Sequence, residues 1–316
     1  MKTEKIYQGN CIEVLKDFSD ESIDCVVTSP PYWGLRDYGK EEQLGLEETP
    51  EEFVANLVKV FSEVKRVLKK EGTVWLNLGD SYASNGTYIN SWYKKEENKN
   101  KKNLHSQNKE RYSDRKAPRG GKYKIKAKDL IGIPWRVAFA LQSDGWYLRQ
   151  DIIWHKPNPM PESVQDRCTK SHEYIFLLTK SPKYFYDIDA IKEKAVGERW
   201  GGNKPININN SKDKKNIHNG LTRERNMEFE MKNKRSVWKI NTKPYKEAHF
   251  ATFPMELPIT CIKAGCPEGG IVLDPFFGSG TTGLAAQELS RHWVGIELNP
   301  EYIEIAKRRT SQSTLF

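Results

Sequence analysis

The chain has 316 residues, 37% of them apolar, which is enough for one large α/β core or a core with a smaller appended lobe. No run approaches a membrane span, Met1-Lys2-Thr3-Glu4 lacks a signal-peptide pattern, and Cys11, Cys25, Cys168, Cys261 and Cys266 have no paired spacing; a membrane protein, a disulfide scaffold and a metal site are therefore unsupported, and a cytoplasmic protein is expected. Fourteen Lys/Arg against four Asp/Glu between Lys94 and Lys128, and fifteen against six between Lys192 and Lys246, leave 22 basic and 32 acidic residues elsewhere, so two segments carry all of the net +9 and point to a polyanionic partner.

In chain order, Ile6-Tyr7-Gln8 reads as a strand running into Gly9-Asn10-Cys11, with a helix from Cys11 to Lys16 and a polar turn at Asp17 to Glu21. Ile23 to Val27, broken only by Asp24, reads as a short buried strand. It delivers Thr28-Ser29-Pro30-Pro31-Tyr32-Trp33. Two prolines fix φ and remove two N–H donors, so the chain leaves the sheet as a rigid loop with outward carbonyls. Beside that acceptor platform lie the Ser29 hydroxyl and the rings of Tyr32 and Trp33, a set suited to a planar heterocycle bearing an amino group. A proline-terminated strand with its aromatics in the core is the competing reading of these residues alone.

Gly34 to Gly45 reads as a surface loop. Thr49-Pro50-Glu51-Glu52 predicts a helix start, Phe53, Leu57, Val60, Phe61, Val64, Val67 and Leu68 recur at helical spacing, and Glu71-Gly72 is the expected stop before a strand at Thr73 to Leu78. Alternating strands and helices imply parallel pairing with right-handed crossovers. A basic insertion of about 80–127 breaks this rhythm, with a long flexible loop as its expected form. A helix is expected from Asp129-Leu130 to Ser143, a strand at Tyr147 to Trp154 ending at Lys156-Pro157-Asn158-Pro159, and a buried strand at Tyr174 to Leu178 with Lys183 to Tyr186 as its hairpin partner. Residues 189–246, basic and interleaved with Trp200, Phe229, Trp238 and Tyr245, read as a second lobe. Met255 to Ala264 is an expected helix.

A second motif follows. Gly270 to Asp274 is a strand, Pro275-Phe276-Phe277-Gly278-Ser279-Gly280-Thr281-Thr282 is a Gly-rich turn opening a helix to about Leu289, and His292 to Ile296 is a strand ending in Glu297. Glycines let the backbone approach a ligand, and an acid ending the next strand can accept from ribose hydroxyls. With Thr281-Thr282 and no Lys, triphosphate binding is disfavoured; Asp274 before the turn better matches an amino-acid ammonium, which points to S-adenosylmethionine.

With both motifs in view, Ser29-Pro30-Pro31-Tyr32 and Asp274 to Thr282, the chain resembles the amino-methyltransferases that act on DNA, and the motif order resembles their permuted (beta) class. The resemblance extends through Gly9-Asn10-Cys11, Leu44-Gly45-Leu46, Val67 to Gly79, Gln150 to Pro159, His249 to Thr252 and Gly295-Ile296-Glu297. It implies a doubly wound, mostly parallel α/β sheet of the Rossmann-like methyltransferase type, circularly permuted, with residues 1–188 and 247–311 as one catalytic domain, 189–246 as a target-recognition region and 312–316 as a tail. It also implies S-adenosylmethionine as cofactor, near Asn10 (where relatives often carry Asp), Cys11, Thr252, Asp274, Phe276, Gly278, Ser279, Gly280, Thr281, Thr282 and Glu297. Ser29, Pro30, Pro31 and Tyr32 would be catalytic, Tyr32 stacking on a flipped base.

Ser29 in the first motif position resembles the cytosine-N4 enzymes; adenine-N6 is the alternative. Cytosine-C5 chemistry needs a Cys after a proline in this loop, whereas Cys266 precedes Pro267 elsewhere. Lys99 and Lys101 are expected to grip phosphates of duplex DNA, and Arg223 and Arg225 to read sequence. Gln312-Ser313-Thr314-Leu315-Phe316 resembles a sliding-clamp docking peptide, although five residues at a terminus favour a frayed end over it, and the resemblance leaves room for a cognate restriction endonuclease as partner. A non-catalytic DNA-binding protein and a methyltransferase for RNA or small molecules are the rivals.

Overall fold

All six residues of Ile23–Thr28 are buried, as a strand in the middle of a sheet covered on both faces must be. The computed structural model describes residues 1–35, 43–83, 126, 128–194, 231–242 and 253–312. In chain order these form β1 (Lys5–Gln8), α1 (Cys11–Lys16), β2 (Ile23–Thr28), α2 (Pro50–Val67), β3 (Leu68–Leu78), α3 (Ile133–Ser143), β4 (Tyr147–His155), β5 (His172–Thr179), β6 (Glu193–Lys194), β7 (Met231–Lys232), β8 (Val237–Lys239), α4 (Glu256–Gly265), β9 (Ile271–Asp274), α5 (Thr281–Glu288), β10 (His292–Glu297) and α6 (Pro300–Gln312). Eight strands make one sheet in the order β1-β10-β9-β2-β3-β5-β4-β8. Only β5 runs against its neighbours, so the sheet is mostly parallel. One layer of α1, α2 and α3 and another of α4, α5 and α6 flank it, the doubly wound α/β arrangement expected from the alternating elements.

Local chemistry accounts for most boundaries. Thr49 Oγ1 accepts from the Glu52 N–H, Pro50 sits in the first turn, and α2 then buries Phe53, Leu57, Val60, Phe61, Val64 and Val67; each full burial contributes about 1.5–3 kcal/mol. Within β2 the lone charge, Asp24, is answered by Lys69 Nζ at 2.7 Å and the Ile271 N–H at 2.9 Å.

Four expectations change. First, α2 stops at Val67 and passes directly into β3, so Glu71 and Gly72 are strand residues. Gly72 is there for packing, because a Cβ on it would lie 2.6 Å from Leu68 Cδ1. Second, α3 begins at Ile133, after the left-handed Gly132 (φ 76°). Its cap is supplied from a distance by Asp80, whose Oδ1 accepts from the Gly132 and Ile133 N–H groups. Third, Lys183 to Tyr186 forms no hairpin with β5, because β3 and β4 already occupy both edges of that strand; Phe185 N–H instead donates to Glu71. Fourth, α6 is an element not anticipated from the sequence, although Asn299-Pro300-Glu301 with Tyr302, Ile303, Ala306 and Thr310 buried on one face is a legible pattern.

Ile188–Arg235 is a compact unit of its own. Its described residues hold a single helical turn at Asp189–Ile191 and the antiparallel pair β6 and β7, with Glu193 paired to Arg235. The chain on either side is fixed to the main unit: Asp187 N–H donates to Ala264 O, and Ser236 O accepts from Ile153 N–H, each at 2.8 Å. Beyond Ser236, β8 joins the sheet beside β4, and Trp238 is buried near Trp75.

Gly265 ends α4 where a Cβ would stand 2.3 Å from Trp75 Nε1 and 2.4 Å from Thr73 Oγ1. Gly265→Ala should therefore lower the urea midpoint, by about 1–3 kcal/mol in stability, and an unchanged midpoint would show that α4 lifts away from the sheet without cost.

Candidate active site

The carboxyl ends of β2, β9 and β10 lie side by side, through the pairs Val26 with Leu273 and Gly295 with Asp274. This is the rim where open α/β sheets place their ligands, and it brings the two sequence motifs together. Thr28 Oγ1 donates to Asp274 Oδ1 at 2.6 Å. Thr282 Oγ1 donates to Asp274 Oδ2 at 2.7 Å, and the Phe276 N–H donates to Oδ1 at 3.0 Å. Asp274 thus fastens the Gly-rich turn to the strand that carries Ser29-Pro30-Pro31-Tyr32, a role its position in the motif did not disclose. Burial pushes its carboxyl up to about 6 despite the opposing pull of these three bonds.

The Gly-rich turn needs two left-handed residues, Gly278 (φ 52°) and Gly280 (φ 82°). A Cβ on Gly280 would press on Ala306 at 3.0 Å, whereas one on Gly278 would meet a single atom, Phe276 O at 3.9 Å, so that side of the turn is open. Phe277 stacks on Trp293 and covers Gly295. Ser279 and Thr281 are buried, and Arg309 of α6 donates to Ser279 O, Ser279 Oγ and Thr281 Oγ1 at 2.7, 2.6 and 3.2 Å. Arg309 braces the turn and was missed in the sequence because α6 was.

Glu297, at the end of β10, accepts from Gly278 N–H and Asn299 N–H, one on each carboxylate oxygen, both at 2.8 Å. Burial raises its pKa. Each oxygen keeps a further lone pair, which suits the hydroxyl pair of a ribose. Asn10 and Cys11 reach the same corner through β1, which pairs with β10, and Gly9 N–H donates to Glu297 O. The Asn10 side-chain oxygen caps α1 at the Ile12 N–H, and Cys11 is buried with its thiol pushed up to about 12. Cys266 is likewise pushed up to about 12 by burial, so neither thiol offers a thiolate.

In the proline loop, Pro30 is buried and Ser29, Pro31 and Tyr32 are half-buried. Trp33 does not belong to a ligand platform: it is 3% exposed, and its indole N–H donates to Glu47 O. Tyr32 lies with its ring edge against Gly79, where a Cβ would sit 2.6 Å from Cε2, and its Oη donates to Glu173 Oε2 at 2.7 Å. Glu173 pairs through its other oxygen with Lys156, and Asn77 Nδ2 donates to Oε2 at 3.1 Å. Asn77, Lys156 and Glu173 were not singled out in the sequence; they meet only because β3, β4 and β5 are neighbours. Burial lowers the pKa values of Lys170 and His172 beside this cluster. Thr252, Lys99, Lys101, Arg223, Arg225 and residues 313–316 lie outside the described residues. Among the described residues, no group of three His, Cys, Asp or Glu side chains could hold a metal, and no helix is long and apolar enough to cross a membrane.

Asp274 also predicts a pH dependence. Its folded pKa of about 6 lies above its ordinary range, so its favourable contribution is complete below that range and is lost as pH rises through about 6. Relative to wild type, Asp274→Asn should gain about 2–3 kcal/mol over this window; urea denaturation at a series of pH values giving a flat difference would refute it.

Comparison with known proteins places these features in context. Residues 23–308 match the family model described as DNA methylase, which covers N6 and N4 enzymes. Type II methyltransferase M.Cfr9I of Citrobacter freundii is 47% identical over 304 residues, covering 96% of this chain and 86% of that protein. M.SmaI of Serratia marcescens is 48% identical over 305 residues, covering 96% and 90%. Among solved structures, the PvuII DNA methyltransferase, titled cytosine-N4-specific, superposes with a TM-score of 0.64 at 19% identity, covering 98% of this chain and 86% of that one. A Thermus thermophilus protein solved with S-adenosyl-L-methionine gives 0.58 at 22% identity, covering 98% and 94%.

Proposed function

This chain belongs to the N6/N4 DNA methylase family, and from that premise we propose that it is a Type II enzyme that methylates the exocyclic N4 amine of cytosine in duplex DNA. The observation that carries the reading is the 2.6 Å Thr28–Asp274 bond, which joins the proline loop to the Gly-rich turn at one rim. Ser29, in place of Asp or Asn, favours cytosine-N4 over the adenine-N6 alternative. The order of the two motifs along the chain supports a permuted arrangement of the fold.

The open turn at Gly278, the glycine geometry and the spare acceptors of Glu297 fit S-adenosylmethionine. Asn10, Cys11, Thr252, Asp274, Phe276, Gly278, Ser279, Gly280, Thr281, Thr282 and Glu297 form its proposed site, with Asp274, Ser279, Thr281 and Thr282 acting from behind the turn. When bound, this cofactor would supply a methyl group on a sulfonium, whose positive charge passes with the methyl to the amine nitrogen and leaves as one proton released to solvent. The chain's own task is to prepare the nitrogen, whose lone pair is delocalised into the base. The Pro30 carbonyl and Ser29 Oγ accept hydrogen bonds from its N–H groups and draw it toward a tetrahedral form. The alkylated nitrogen is strongly acidic while it carries the charge, so its proton passes to water without a strong base. Tyr32 stacks on the flipped base.

Lys99 and Lys101 contribute phosphate contacts, and Arg223 and Arg225 readout in the major groove, within a target-recognition region at about 189–246. A cognate restriction endonuclease, clamp docking through residues 312–316 and a cytoplasmic location complete the proposal.

Transfer of labelled methyl to duplex DNA, but not to RNA or in the absence of nucleic acid, is the expected outcome, with N4-methylcytosine found on digestion to nucleosides; N6-methyladenine would overturn the choice of base. Tyr32→Ala should lower turnover by about 5- to 150-fold, the worth of one stacked base, while cofactor affinity stays nearly intact. Loss of cofactor binding by calorimetry would contradict the role given to Tyr32. Replacing Lys99 and Lys101 should weaken DNA binding and its salt dependence across all sequences; a change in sequence preference instead would assign them to readout.

A further inference from the structure

Ser29 can help activate an amine only if it accepts from it, yet a hydroxyl can equally donate. What decides between the two is where the Ser29 proton goes. Ser29 Oγ lies 3.4 Å from Tyr32 Oη, within reach for serine to donate and tyrosine to accept. That orientation requires the single Tyr32 proton to be committed elsewhere.

Glu173 provides the commitment. Tyr32 Oη is 2.7 Å from Glu173 Oε2 and 3.3 Å from Asn77 Oδ1; the shorter bond, to a charged acceptor, is the stronger one. Asn77 cannot reverse it, because its amide hydrogens go to Glu173 Oε2 and Tyr174 O, both at 3.1 Å, leaving only its carbonyl toward the phenol. Lys156 holds the other Glu173 oxygen, and the two side chains are 19% and 14% exposed, so the carboxylate is fixed in place and shielded from water.

We infer that Glu173 is a positioning residue that sets the direction of the Ser29–Tyr32 hydrogen-bond chain, so that Ser29 meets the target amine as an acceptor. The chain runs from the amine to Ser29, from Ser29 to Tyr32 and from Tyr32 to Glu173, every link donating toward the carboxylate. The inference rests on the amino-methylation reading and deepens it. The one proton that methylation releases leaves the alkylated nitrogen for solvent, and the hydrogen-bond chain only orients the amine; Glu173 acts through Tyr32 and touches no reacting atom.

Glu173→Gln is nearly isosteric but can present an amide donor to Tyr32, which frees the phenol to donate to Ser29. Tyr32→Phe removes the middle link and keeps the ring. In the full-length protein with duplex DNA, each should lower kcat by about tenfold or more, with the S-adenosylmethionine Kd and the melting temperature close to wild type, and the double variant should be no slower than the slower single one. Glu173→Gln combined with Lys156→Gln, which leaves no unpaired lysine, should show the same loss and covers the case in which the single variant folds poorly. Losses that multiply in Tyr32→Phe/Glu173→Gln, or a Glu173→Gln kcat within about twofold of wild type, would overturn the inference while leaving the methylation reading intact. A wild-type protein that transfers no methyl to DNA would instead sink that reading and this inference with it.

Discussion

The structure turns on one buried hydrogen bond between residues 246 positions apart, Thr28 Oγ1 to Asp274 Oδ1. It exists because β2 and β9 are parallel neighbours, with Cys25 opposite Val272 and Val26 opposite Leu273. A carboxyl group with almost no exposure is costly unless each oxygen finds donors. Thr28, Thr282 and the Phe276 N–H supply them. Those donors come from the strand ahead of the proline loop, from the first turn of α5 and from the Gly-rich turn itself, so satisfying one side chain fixes three pieces of backbone.

Behind the Gly-rich turn, shape does what a motif alone would not. Phe277 fills the space that side chains at Gly283 and Gly295 would occupy, stacks on Trp293 and fixes the turn against β10. Arg309 then ties Ser279 and Thr281 from α6. The half of the turn packed against the protein is thereby fully determined, while the Gly278 side stays open. The corner proposed for the cofactor is thus preorganised by packing, with Glu297 held by two backbone donors.

How much could be read from the residues follows a physical division. Features set by near neighbours were legible: the buried run of β2, the Thr49 cap of α2, the strand, turn and helix around Asp274, and the acid ending β10. Features set by distant partners were not. Gly72 resembled a helix stop, but its smallness serves the Leu68 side chain. Asp129-Leu130 resembled a helix start, but Asp80 caps α3 at Gly132 and Ile133. Lys183 to Tyr186 had the composition of a strand with no free edge left to join. Trp33, read as a ligand platform, is core. Glu173 and Lys156 carry no local signature; their meaning comes from lying on the antiparallel strand β5 and just past β4, next to the loop they serve.

The segment from Ile188 to Arg235 leaves the main unit just after a residue anchored to Ala264 and returns at one anchored to Ile153. An excursion moored at both ends is exchangeable: its interior can lengthen, shorten or change composition while the strands keep their register.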